Sequence, residues 1–547
     1  MSAPLLEVSD LAVDFTTMDG VVHAVEGVDL SISEGETVAI VGESGSGKST
    51  TAMAIIGLLA GGGRVAAGSI RLDGRDISKA SENELRGIRG RDIGLVPQDP
   101  MSNLNPVAKI GTQVAESLLA HGLANRQNVS AKVVEALGAA GLPDAAKRAK
   151  QYPHEFSGGM RQRALIAIGL ACKPRLLIAD EPTSALDVTV QQTILDQIGT
   201  MTRELGTAVL LITHDLGLAA ERAERVVVMH RGKVVEQGAA RQILESPQHP
   251  YTQSLVAAAP SVAAARLQPE AFSKPVDEAP AKPDHSDNIV EIENLTKVYP
   301  VRGRGEDFVA VNDVSLSIPR GETVAIVGES GSGKTTTARM LLKLIEPTNG
   351  VIRYEGKDIA SLDRADTRDF RQRVQPIFQD PYSSLNPMFT IERLIAEPLE
   401  FYKRGSGGER SKRVRQLLDD VALPQSMLRR YPSELSGGQR QRVAIARALA
   451  LSPDLIVCDE PVSALDVLVQ DQILTLLGEL QREYGLSYLF ISHDLAVVRL
   501  ISDYVCVMKD GAMVEAATSE EIFTNPRDPN TRRLLASIPG NELGLAG

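Results

Sequence analysis

The sequence carries one phosphate-binding pattern twice. Residues 37–50 read TVAIVGESGSGKST, and residues 323–336 read TVAIVGESGSGKTT. Both fit G-x-x-x-x-G-K-[ST], a glycine-rich loop between a strand and a helix, in which backbone N–H groups converge on phosphate oxygens. In this pattern the lysine reaches the outer phosphates, and the hydroxyl after it binds Mg²⁺. The predicted phosphate-binding residues are Gly42, Ser44, Gly45, Gly47, Lys48, Ser49 and Thr50, and Gly328, Ser330, Gly331, Gly333, Lys334, Thr335 and Thr336.

An acidic pair follows an apolar, strand-like run in each half, as LLIADEP and LIVCDEP. At the end of such a strand, Asp180 and Asp459 could hold Mg²⁺ beside the phosphate loop. Adjacent residues at a strand end point in different directions, so Glu181 and Glu460 could instead face an attacking water and act as its base. The pairs therefore predict attack of water on a bound phosphate.

A glutamine and a histidine recur with these acids. Gln98 and Gln379 end apolar runs and could position the attacking water or the metal. His214 and His493 end further strand-like runs and could donate a hydrogen bond to the terminal phosphate. A single histidine after a strand is more often structural, but both copies lie 33 residues beyond the glutamate of the pair, which favours a functional role. The metal-binding candidates are Ser49, Gln98 and Asp180, and Thr335, Gln379 and Asp459.

A serine and two glycines open a helix-like run in each half, as SGGMRQR and SGGQRQR. Such a start offers an N-cap and a glycine nest, which is again a surface suited to phosphate. From this serine to the glutamate of the acidic pair is 24 residues in both halves, whereas the loop lysine precedes the glutamine by 50 residues in one and 45 in the other. The part of constant length is therefore predicted to build the reaction centre. Its candidates are Ser157, Gly158 and Gly159, and Ser436, Gly437, Gly438 and Gln439.

The elements that must position these residues are alternating strands and helices. Buried-type strands that alternate with helices predict an α/β fold with a parallel sheet, and the internal repeat predicts two large units. We expect a first domain at residues 1–260, an Ala- and Pro-rich linker at 261–287 and a second domain at 288–547 with a C-terminal tail. A hydrophobic content of 43% is enough for two buried cores.

Composition narrows the classes of partner. A net charge of −12 disfavours a nucleic-acid-binding surface, which depends on clustered Lys and Arg. No apolar run approaches the roughly 18 residues of a membrane span, and the N-terminus lacks a basic region followed by an apolar one. We therefore expect a cytoplasmic protein whose membrane role requires partner chains. Cys172, Cys458 and Cys506 lie in or beside apolar runs and are predicted to be buried hydrophobic residues rather than ligands or disulfides.

Together these motifs resemble the nucleotide-binding domains of ATP-binding cassette (ABC) transporters, over nearly the whole chain. The resemblance implies two tandem P-loop domains that bind ATP and Mg²⁺, each a RecA-like core with an α-helical subdomain. It also implies an aromatic residue that stacks on adenine, and Phe15 and Tyr299 match that position. Family members pair two such domains head to tail. Each ATP would then lie between the loop of one half and the SGG signature of the other, with no need for a homodimer.

The sequence around the motifs gives a closer resemblance. YPHEFSGGMRQR and HPYTQSLVAAAP are similar to the D-type ATPase subunit of oligopeptide and dipeptide importers, whereas QDPYSSLNP and CDEPVSALDVLVQ are similar to the F-type subunit. The chain looks like a fusion of the two. This implies an ATPase that drives import of di- or oligopeptides from the cytoplasmic face of the inner membrane. Two transmembrane permease subunits and an extracytoplasmic binding protein would be its partners, with the permease's coupling helices docking on residues 98–106 and 379–387.

Two kinds of alternative stay open: another cargo for the same type of importer, and another class of cassette protein. Related importers carry glutathione, nickel chelates, opines or peptide antibiotics on the same ATPase pattern, because other subunits select the cargo. A soluble twin-cassette translation factor would have a long, charged helical linker, in contrast to the short Pro-rich stretch here. A DNA-repair or chromosome-structural cassette protein would need zinc-type cysteine pairs or a long coiled coil, and the sequence has neither.

Two departures from the family pattern lead to further expectations. Met160 stands where Gln439 stands in the other half, but no catalytic group is lost, so we expect hydrolysis at both sites. Many D-type and F-type subunits carry a cysteine cluster for an iron–sulfur centre. No cysteine lies between Tyr251 and Cys458, so we expect no such cluster in this chain.

Overall fold

A computed structural model describes residues 4–17, 20–183, 186–259, 287–300, 307–463 and 465–538. The chain divides into two compact units: of the described residues, those up to 259 belong to unit 1 and those from 287 to 538 belong to unit 2. The predicted linker, apart from Asp287, and the predicted C-terminal tail from residue 539 onward lie outside the described residues. The domain boundaries drawn from the sequence at 260 and 288 therefore stay predictions.

Unit 1 contains two sheets. Its strands are β1 (Leu6–Thr17), β2 (Gly20–Ile32), β3 (Thr37–Val41), β4 (Gly63–Leu72), β5 (Arg75–Asp76), β6 (Ile93–Val96), β7 (Leu176–Asp180), β8 (Ala208–Thr213), β9 (Arg225–His230) and β10 (Lys233–Ala239). The larger sheet has the order β10-β9-β3-β8-β7-β6, and all its pairings are parallel except that of β10 with β9. The smaller, antiparallel sheet has the order β2-β1-β4-β5.

The helices of unit 1 connect these strands and form a helical region between β6 and β7. They are α1 (Lys48–Ile55), α2 (Glu82–Ile88), α3 (Pro100–Asn103), α4 (Ile110–Ala120), α5 (Val129–Ala139), α6 (Ala145–Arg148), α7 (Gly158–Leu170), α8 (Val188–Leu205), α9 (Leu216–Arg222), α10 (Ala240–Glu245) and α11 (Pro250–Ala258). Within the helical region, α4, α5 and α7 pack on one another. This arrangement confirms the predicted α/β class with a helical subdomain.

The position of β3 in the sheet explains where the phosphate loop lies. Its residues from Val38 to Val41 are fully buried, as expected for a strand covered on both faces. In the parallel register Val41 pairs with Thr213, and Asp180 pairs with Ile212 on the other edge of β8. The carboxyl ends of β3, β8 and β7 thus meet at one edge of the sheet, where open α/β sheets bind ligands.

Unit 2 repeats this topology. Its strands are β11 (Asn288–Tyr299), β12 (Phe308–Pro319), β13 (Thr323–Val327), β14 (Asn349–Tyr354), β15 (Lys357–Asp358), β16 (Val374–Ile377), β17 (Leu455–Asp459), β18 (Ser487–Ser492), β19 (Tyr504–Lys509) and β20 (Ala512–Thr518). They form sheets of order β12-β11-β14-β15 and β16-β17-β18-β13-β19-β20. The helices are α12 (Lys334–Leu341), α13 (Arg364–Arg373), α14 (Pro381–Ser384), α15 (Ile391–Phe401), α16 (Gly407–Asp420), α17 (Gly437–Leu449), α18 (Val467–Tyr484), α19 (Leu495–Ile501), α20 (Ser519–Thr524) and α21 (Pro529–Ala536).

The long helix after each acidic pair has clear local signals at both ends. Asp187 caps α8 by accepting a hydrogen bond from the Val190 N–H, and Gly206 ends the helix in the left-handed conformation at φ 66°. Asp466 and Gly485 do the same for α18. Among the described residues, no helix combines the length and the apolar character that crossing a bilayer requires. The three cysteines are free and buried, as predicted.

Candidate functional site

The glycine-rich loop approaches the neighbouring strand so closely that its first glycine admits no side chain. A Cβ on Gly42 would lie 2.2 Å from the carbonyl oxygen of Met229, and φ is 154° at this residue. Gly328 has the same φ, and its Cβ would lie 2.2 Å from the oxygen of Met508. The loop therefore turns tightly over the end of β9 or β19 before it enters α1 or α12.

The loop lysines are buried and fold back over the loop. Lys48 Nζ donates hydrogen bonds to the carbonyl oxygens of Gly42 at 2.7 Å and Glu43 at 2.8 Å. Lys334 Nζ repeats these contacts at 2.8 and 2.9 Å. Each lysine is the first residue of the helix that follows, so its charge lies beside the N-terminal N–H groups of that helix. Both features favour a bound polyphosphate.

The predicted metal ligands lie next to each other in both units. Ser49 Oγ donates a hydrogen bond to Asp180 Oδ1 at 3.0 Å, and Thr335 Oγ1 donates one to Asp459 Oδ1 at 3.1 Å. Burial raises the pKa of Asp180, although the hydrogen bond from Ser49 opposes the shift. The pKa of Asp459 is also raised by burial, against the hydrogen bond from Thr335. A hydroxyl and a carboxylate are the oxygen donors that Mg²⁺ prefers beside phosphates.

A further serine of each loop supports the fit to a phosphate ligand. The hydroxyls of Ser46 and Ser332 are buried, and among the described residues neither has a hydrogen-bond partner. A buried polar group without a partner is costly, so a ligand oxygen would relieve it. The sequence reasoning did not include these two serines, although both lie inside the GESGSGK motif. The residues present thus fit Mg²⁺ and a nucleoside triphosphate.

The glutamate after each aspartate is the centre of a second network. Gln98 Nε2 donates a hydrogen bond to Glu181 Oε2 at 2.8 Å, and His214 Nδ1 lies 3.3 Å from Glu181 Oε1. In unit 2, Gln379 and His493 contact Glu460 at 2.8 and 3.2 Å. The structure thus brings together all the glutamine, glutamate and histidine candidates within each unit.

Ionisation in this network favours a charged glutamate. Burial alone would raise the pKa of Glu181, but the hydrogen bond and the charge of His214 lower it overall. Burial alone would lower the pKa of His214, but Glu181 raises it overall. Glu460 and His493 shift in the same directions. Each glutamate is therefore ionised at neutral pH and can accept a hydrogen bond from water.

The two glutamates also have unusual backbone conformations. Glu181 has φ 43° and Glu460 has φ 49°, both in the left-handed region that non-glycine residues avoid. Such strain costs on the order of 1–3 kcal/mol and is concentrated at functional sites. Hydrogen bonds from the glutamate N–H groups to Ile212 O and Ile491 O, each 2.9 Å long, hold the turn in place. This conformation has no signal in the sequence.

The SGG residues start α7 and α17. Ser157 Oγ accepts a hydrogen bond from the Met160 N–H, and Ser436 Oγ accepts one from the Gln439 N–H. The side chain of Gln439 closes a capping box, because its Oε1 accepts the Ser436 N–H at 3.0 Å. Met160 cannot make that bond. The side chain of Gln439, which was predicted to bind nucleotide, thus caps its own helix in this structure.

The second glycine of the SGG lies against the helix that follows the acidic pair. A Cβ on Gly159 would lie 2.8 Å from Val190 Cγ1, and one on Gly438 would lie 2.3 Å from Val469 Cγ1. Glycine is therefore needed here for helix packing, whatever its role toward phosphate. A Cβ on the first glycine, Gly158 or Gly437, would lie 3.3 or 3.4 Å from Cδ2 of Leu186 or Leu465, just before the same helix. The binding of nucleotide by the SGG residues stays a prediction.

The two aromatic candidates have different surroundings. Phe15 is partly buried on β1, and its Cε1 would lie 2.6 Å from a Cβ on Gly63 of β4. Tyr299 is exposed at the end of β11, with Lys297 Nζ 5.2 Å from its ring centroid. Stacking on adenine also stays a prediction.

Comparison with known families adds the deciding observation. The family model described as ABC transporter matches residues 25–184 and again residues 311–463, which together are more than half of the chain. The chain belongs to the ATP-binding cassette family. As a cassette protein it binds ATP and hydrolyses it to power transport, so the predicted fold and ATPase activity are confirmed.

A second family model and individual relatives narrow this membership. The model described as oligopeptide/dipeptide transporter, C-terminal region, matches residues 235–281 and 514–545 of this cassette protein. The "Glutathione import ATP-binding protein GsiA" of Pectobacterium atrosepticum is 45% identical over 98% of this chain and 89% of its own length. That of Salmonella choleraesuis is 44% identical over 98% of this chain and 90% of its own. The predicted family of tandem-cassette peptide-importer ATPases is confirmed.

Among solved structures, a dimeric post-hydrolysis state of an ATP-binding cassette bound to ADP and Pi aligns with 42% of this chain and 98% of its own. The sequence identity is 35% and the TM-score is 0.39.

Proposed function

We propose that this chain is the ATP-hydrolysing subunit of an importer for small peptides, with the tripeptide glutathione as the favoured cargo. The observation that carries the proposal is the 45% identity to a glutathione import ATP-binding protein over nearly the full length of both chains. The match to the oligopeptide/dipeptide transporter C-terminal region in both units supports the same class. Among the cargoes left open by the sequence, this favours glutathione over other peptides, nickel chelates, opines and peptide antibiotics.

The same proposal includes the partners. Two transmembrane permease subunits would form the pathway, an extracytoplasmic binding protein would deliver the cargo, and this chain would bind at the cytoplasmic face of the inner membrane. A nucleic-acid partner is not expected from the net charge of −12. The C-terminal region shared with peptide transporters favours the importer over the soluble twin-cassette translation factor.

Exposed apolar side chains support docking of the permease on the segments that follow the two glutamines. In unit 1, Met101 is 63% exposed and Val107 is 83% exposed; in unit 2, Tyr382 is 58% exposed and Met388 is 79% exposed. Large apolar residues with such exposure, on or shortly after the short helices α3 and α14, are typical of an interaction surface. Since Gln98 and Gln379 contact the glutamates, the same segments would relay docking to the site.

The hydrolysis step is proposed for each unit from its own residues. The phosphate loop and its buried lysine would bind and orient the triphosphate, and the ionised glutamate would accept a proton from the attacking water. Gln98 and His214, or Gln379 and His493, would hold that carboxylate in place. Mg²⁺ held by the hydroxyl and the aspartate would neutralise the charge that develops on the phosphates.

Head-to-tail pairing of the two cassettes, with each ATP between one loop and the other signature, stays a prediction from the family resemblance. So does the absence of an iron–sulfur cluster. An iron assay on protein purified without chelators tests the latter, and stoichiometric iron with brown colour would contradict it.

The experiment that tests the proposed cargo is ATPase stimulation in the assembled transporter. The permease pair and this chain would be reconstituted in nanodiscs, and phosphate release would be measured with binding protein loaded with glutathione, a dipeptide or no ligand. We expect the largest stimulation with glutathione. The variant Glu181→Gln/Glu460→Gln serves as the control, because it should bind the permease but release no phosphate. Stimulation by another cargo with none by glutathione would refute the proposal.

A further inference from the structure

The last helix of each unit reaches the phosphate loop, although none of the site residues predicted from the sequence lies in it. This helix is α11 in unit 1 and α21 in unit 2, and both lie within the matched transporter C-terminal region. Each begins with a proline, so positions along the two helices correspond: Tyr251 to Asn530, and Ser254 to Arg533. The two helices contact the same loop position by different chemistry.

In unit 1 one peptide group of the phosphate loop is held at both ends. The N–H of Glu43 donates a hydrogen bond to Tyr251 Oη at 3.1 Å. The carbonyl oxygen of the same peptide group, which belongs to Gly42, accepts the hydrogen bond from Lys48 Nζ at 2.7 Å. Because a peptide group is planar and rigid, fixing its N–H also fixes the carbonyl that positions the lysine. Tyr251 therefore helps to position the ammonium group of Lys48, because both side chains bond to the peptide group between Gly42 and Glu43.

Tyr251 is itself held by two contacts, one of which is supported by a further carboxylate. Its ring packs against that of His230, the last residue of β9, with the ring centroids 4.0 Å apart and the ring planes tilted by 31°. Its N–H donates a hydrogen bond to His249 Nδ1, which caps α11. The N–H groups of Gln248 and His249 in turn donate hydrogen bonds to the Glu236 carboxylate on β10, at 2.8 and 3.0 Å. The hydroxyl thus reaches the loop from a fixed position.

Unit 2 keeps this support but changes the contact. Glu515 accepts hydrogen bonds from the N–H groups of Arg527 and Asp528 at the start of α21, as Glu236 does in unit 1. Asn530 accepts a hydrogen bond from Lys509, the last residue of β19. One turn further, Arg533 Nη2 forms an ion pair with Glu329 Oε1 at 2.6 Å. Glu329 corresponds to Glu43 in the loop sequence, so the same loop residue is held through its side chain.

We propose that Tyr251 and Arg533 are positioning residues of the two phosphate loops, which set the affinity of each unit for MgATP by a neutral and by an ionic contact respectively. The inference rests on ATP binding and is independent of the cargo. The two contacts differ in their response to salt. The ion pair is open to solvent, since Arg533 is 54% exposed and Glu329 is 34% exposed, and salt screens such pairs. A hydrogen bond to a backbone N–H is not screened in this way.

Equilibrium binding of MgATP to the full-length chain tests the unit 1 contact. The background variant Lys334→Ala weakens nucleotide binding in unit 2, so that binding to unit 1 is observed. In that background we expect Tyr251→Phe, which keeps the ring on His230 but removes the hydroxyl, to raise Kd about three- to tenfold. The matched control is Ser254→Ala on the same helix, for which no change in Kd is expected, because its hydroxyl bonds to Pro250 O within the helix.

A steady-state measurement separates positioning from a merely structural role. Tyr251→Phe should raise KM for ATP by a similar factor while kcat changes less than about twofold, because the hydroxyl bonds to the Glu43 N–H of the loop that binds the phosphates. An unchanged Kd would overturn the proposal for unit 1, whether or not the thermal stability of the variant falls. A loss confined to kcat would overturn it as well.

The contact in unit 2 is tested in the background Lys48→Ala with a double-mutant cycle. Arg533→Gln and Glu329→Gln should each raise Kd for MgATP about two- to fivefold, and the double variant should be no worse than either single one. In about 1 M KCl the difference between Arg533→Gln and its parent should disappear, whereas the effect of Tyr251→Phe should persist.

The matched control for charge is Arg532→Gln, since Arg532 neighbours Arg533 and bonds to Pro526 O rather than to the loop. Its Kd should equal that of the parent. Additive effects of Arg533→Gln and Glu329→Gln, or an equal effect of Arg532→Gln, would overturn the proposal for unit 2.

Discussion

The two units agree in the contacts that hold the reacting groups and differ in the contacts that surround them. The hydroxyl–aspartate bond is 3.0 Å in unit 1 and 3.1 Å in unit 2, and the glutamine–glutamate bond is 2.8 Å in both. The histidine–glutamate distances are 3.3 and 3.2 Å. Even the strained φ of the glutamate repeats, at 43° and 49°. In contrast, the signature cap, the aromatic residue and the last helix differ in chemistry.

This contrast separates what the chemistry requires from what tunes it. In-line attack of water needs a base, a lysine and oxygen ligands at fixed positions, so a change of a few tenths of an ångström would be felt. The caps of α7 and α17 and the contacts of α11 and α21 do not involve the reacting groups themselves; the last helices contact the phosphate loop through the Glu43 N–H or the Glu329 side chain. Different side chains can therefore serve there, and each unit can have its own affinity and its own resistance to salt.

The largest expected effect is a loss of ATP hydrolysis, and it tests whether the two catalytic centres are equivalent. Glu181→Gln and Glu460→Gln each remove the proposed base while keeping the size of the side chain. We expect each to abolish turnover in its own site, and the double variant to lose on the order of 10²–10⁴-fold in phosphate release. Steady-state phosphate release by the full-length chain checks this. Full activity in either single variant would mean that only one site turns over.

The equivalent network could be predicted because its residues lie inside short motifs that recur in the same order in both halves, with an equal spacing of 33 residues from glutamate to histidine. The loop lysines, the acidic pairs and the histidines each follow an apolar strand, and parallel strands bring their carboxyl ends to one edge. The capping box of Ser436 and Gln439 also has a local pattern, S-x-x-Q, which is typical of a helix start. The motifs and the capping pattern can be recognised from residues that are neighbours in the sequence.

Other features of the site could not be predicted from the sequence. The bond between Glu43 and Tyr251 joins residues 208 positions apart, and only the packing of α11 against β9 brings them together. The left-handed conformation of Glu181 results from its bond to β8, which overrides the local preference of the residue. Both depend on tertiary structure, for which a single sequence has no local signal.

The next effect concerns stability and would sharpen the comparison of the two signature helices. Gly438→Ala would place a Cβ 2.3 Å from Val469 Cγ1, and Gly159→Ala would place one 2.8 Å from Val190 Cγ1. Both should destabilise the unit that contains them, by about 1–3 kcal/mol, with the larger loss for Gly438→Ala. Thermal unfolding followed by calorimetry tests this order. Equal losses in the two variants would contradict this order, and a Tm of Gly438→Ala equal to that of the parent would show that Val469 moves aside without cost.

A pH effect is expected to be common to both units. A histidine whose pKa is raised by folding stabilises the fold below its unfolded pKa of about 6.5, and the contribution is lost as the pH rises through the folded value. His214→Asn should therefore lower Tm at about pH 6 and have less effect at alkaline pH. Because His214 is 36% exposed, solvent screens the pair, and the loss should be about 1 kcal/mol or less.

His493→Asn should show the same sign and window, because the pKa of His493 is raised by Glu460 in the same way. Scans of Tm against pH for both variants and the parent provide the measurement. A variant that is least stable relative to the parent at alkaline pH would contradict the assigned direction of the shift.

The smallest change in stability is expected when the residue at the fourth position of each signature, Met160 or Gln439, is exchanged for that of the other unit. Gln439→Met removes the side chain that accepts the Ser436 N–H, and Met160→Gln gives unit 1 the S-x-x-Q pattern that it lacks. One capping interaction contributes about 0.5–1 kcal/mol. We therefore expect opposite shifts in Tm of similar size, and little change in Kd for MgATP in either variant. If Met160→Gln instead tightened MgATP binding without stabilising unit 1, the glutamine would act on nucleotide directly, and the two signatures would differ in affinity rather than in helix capping.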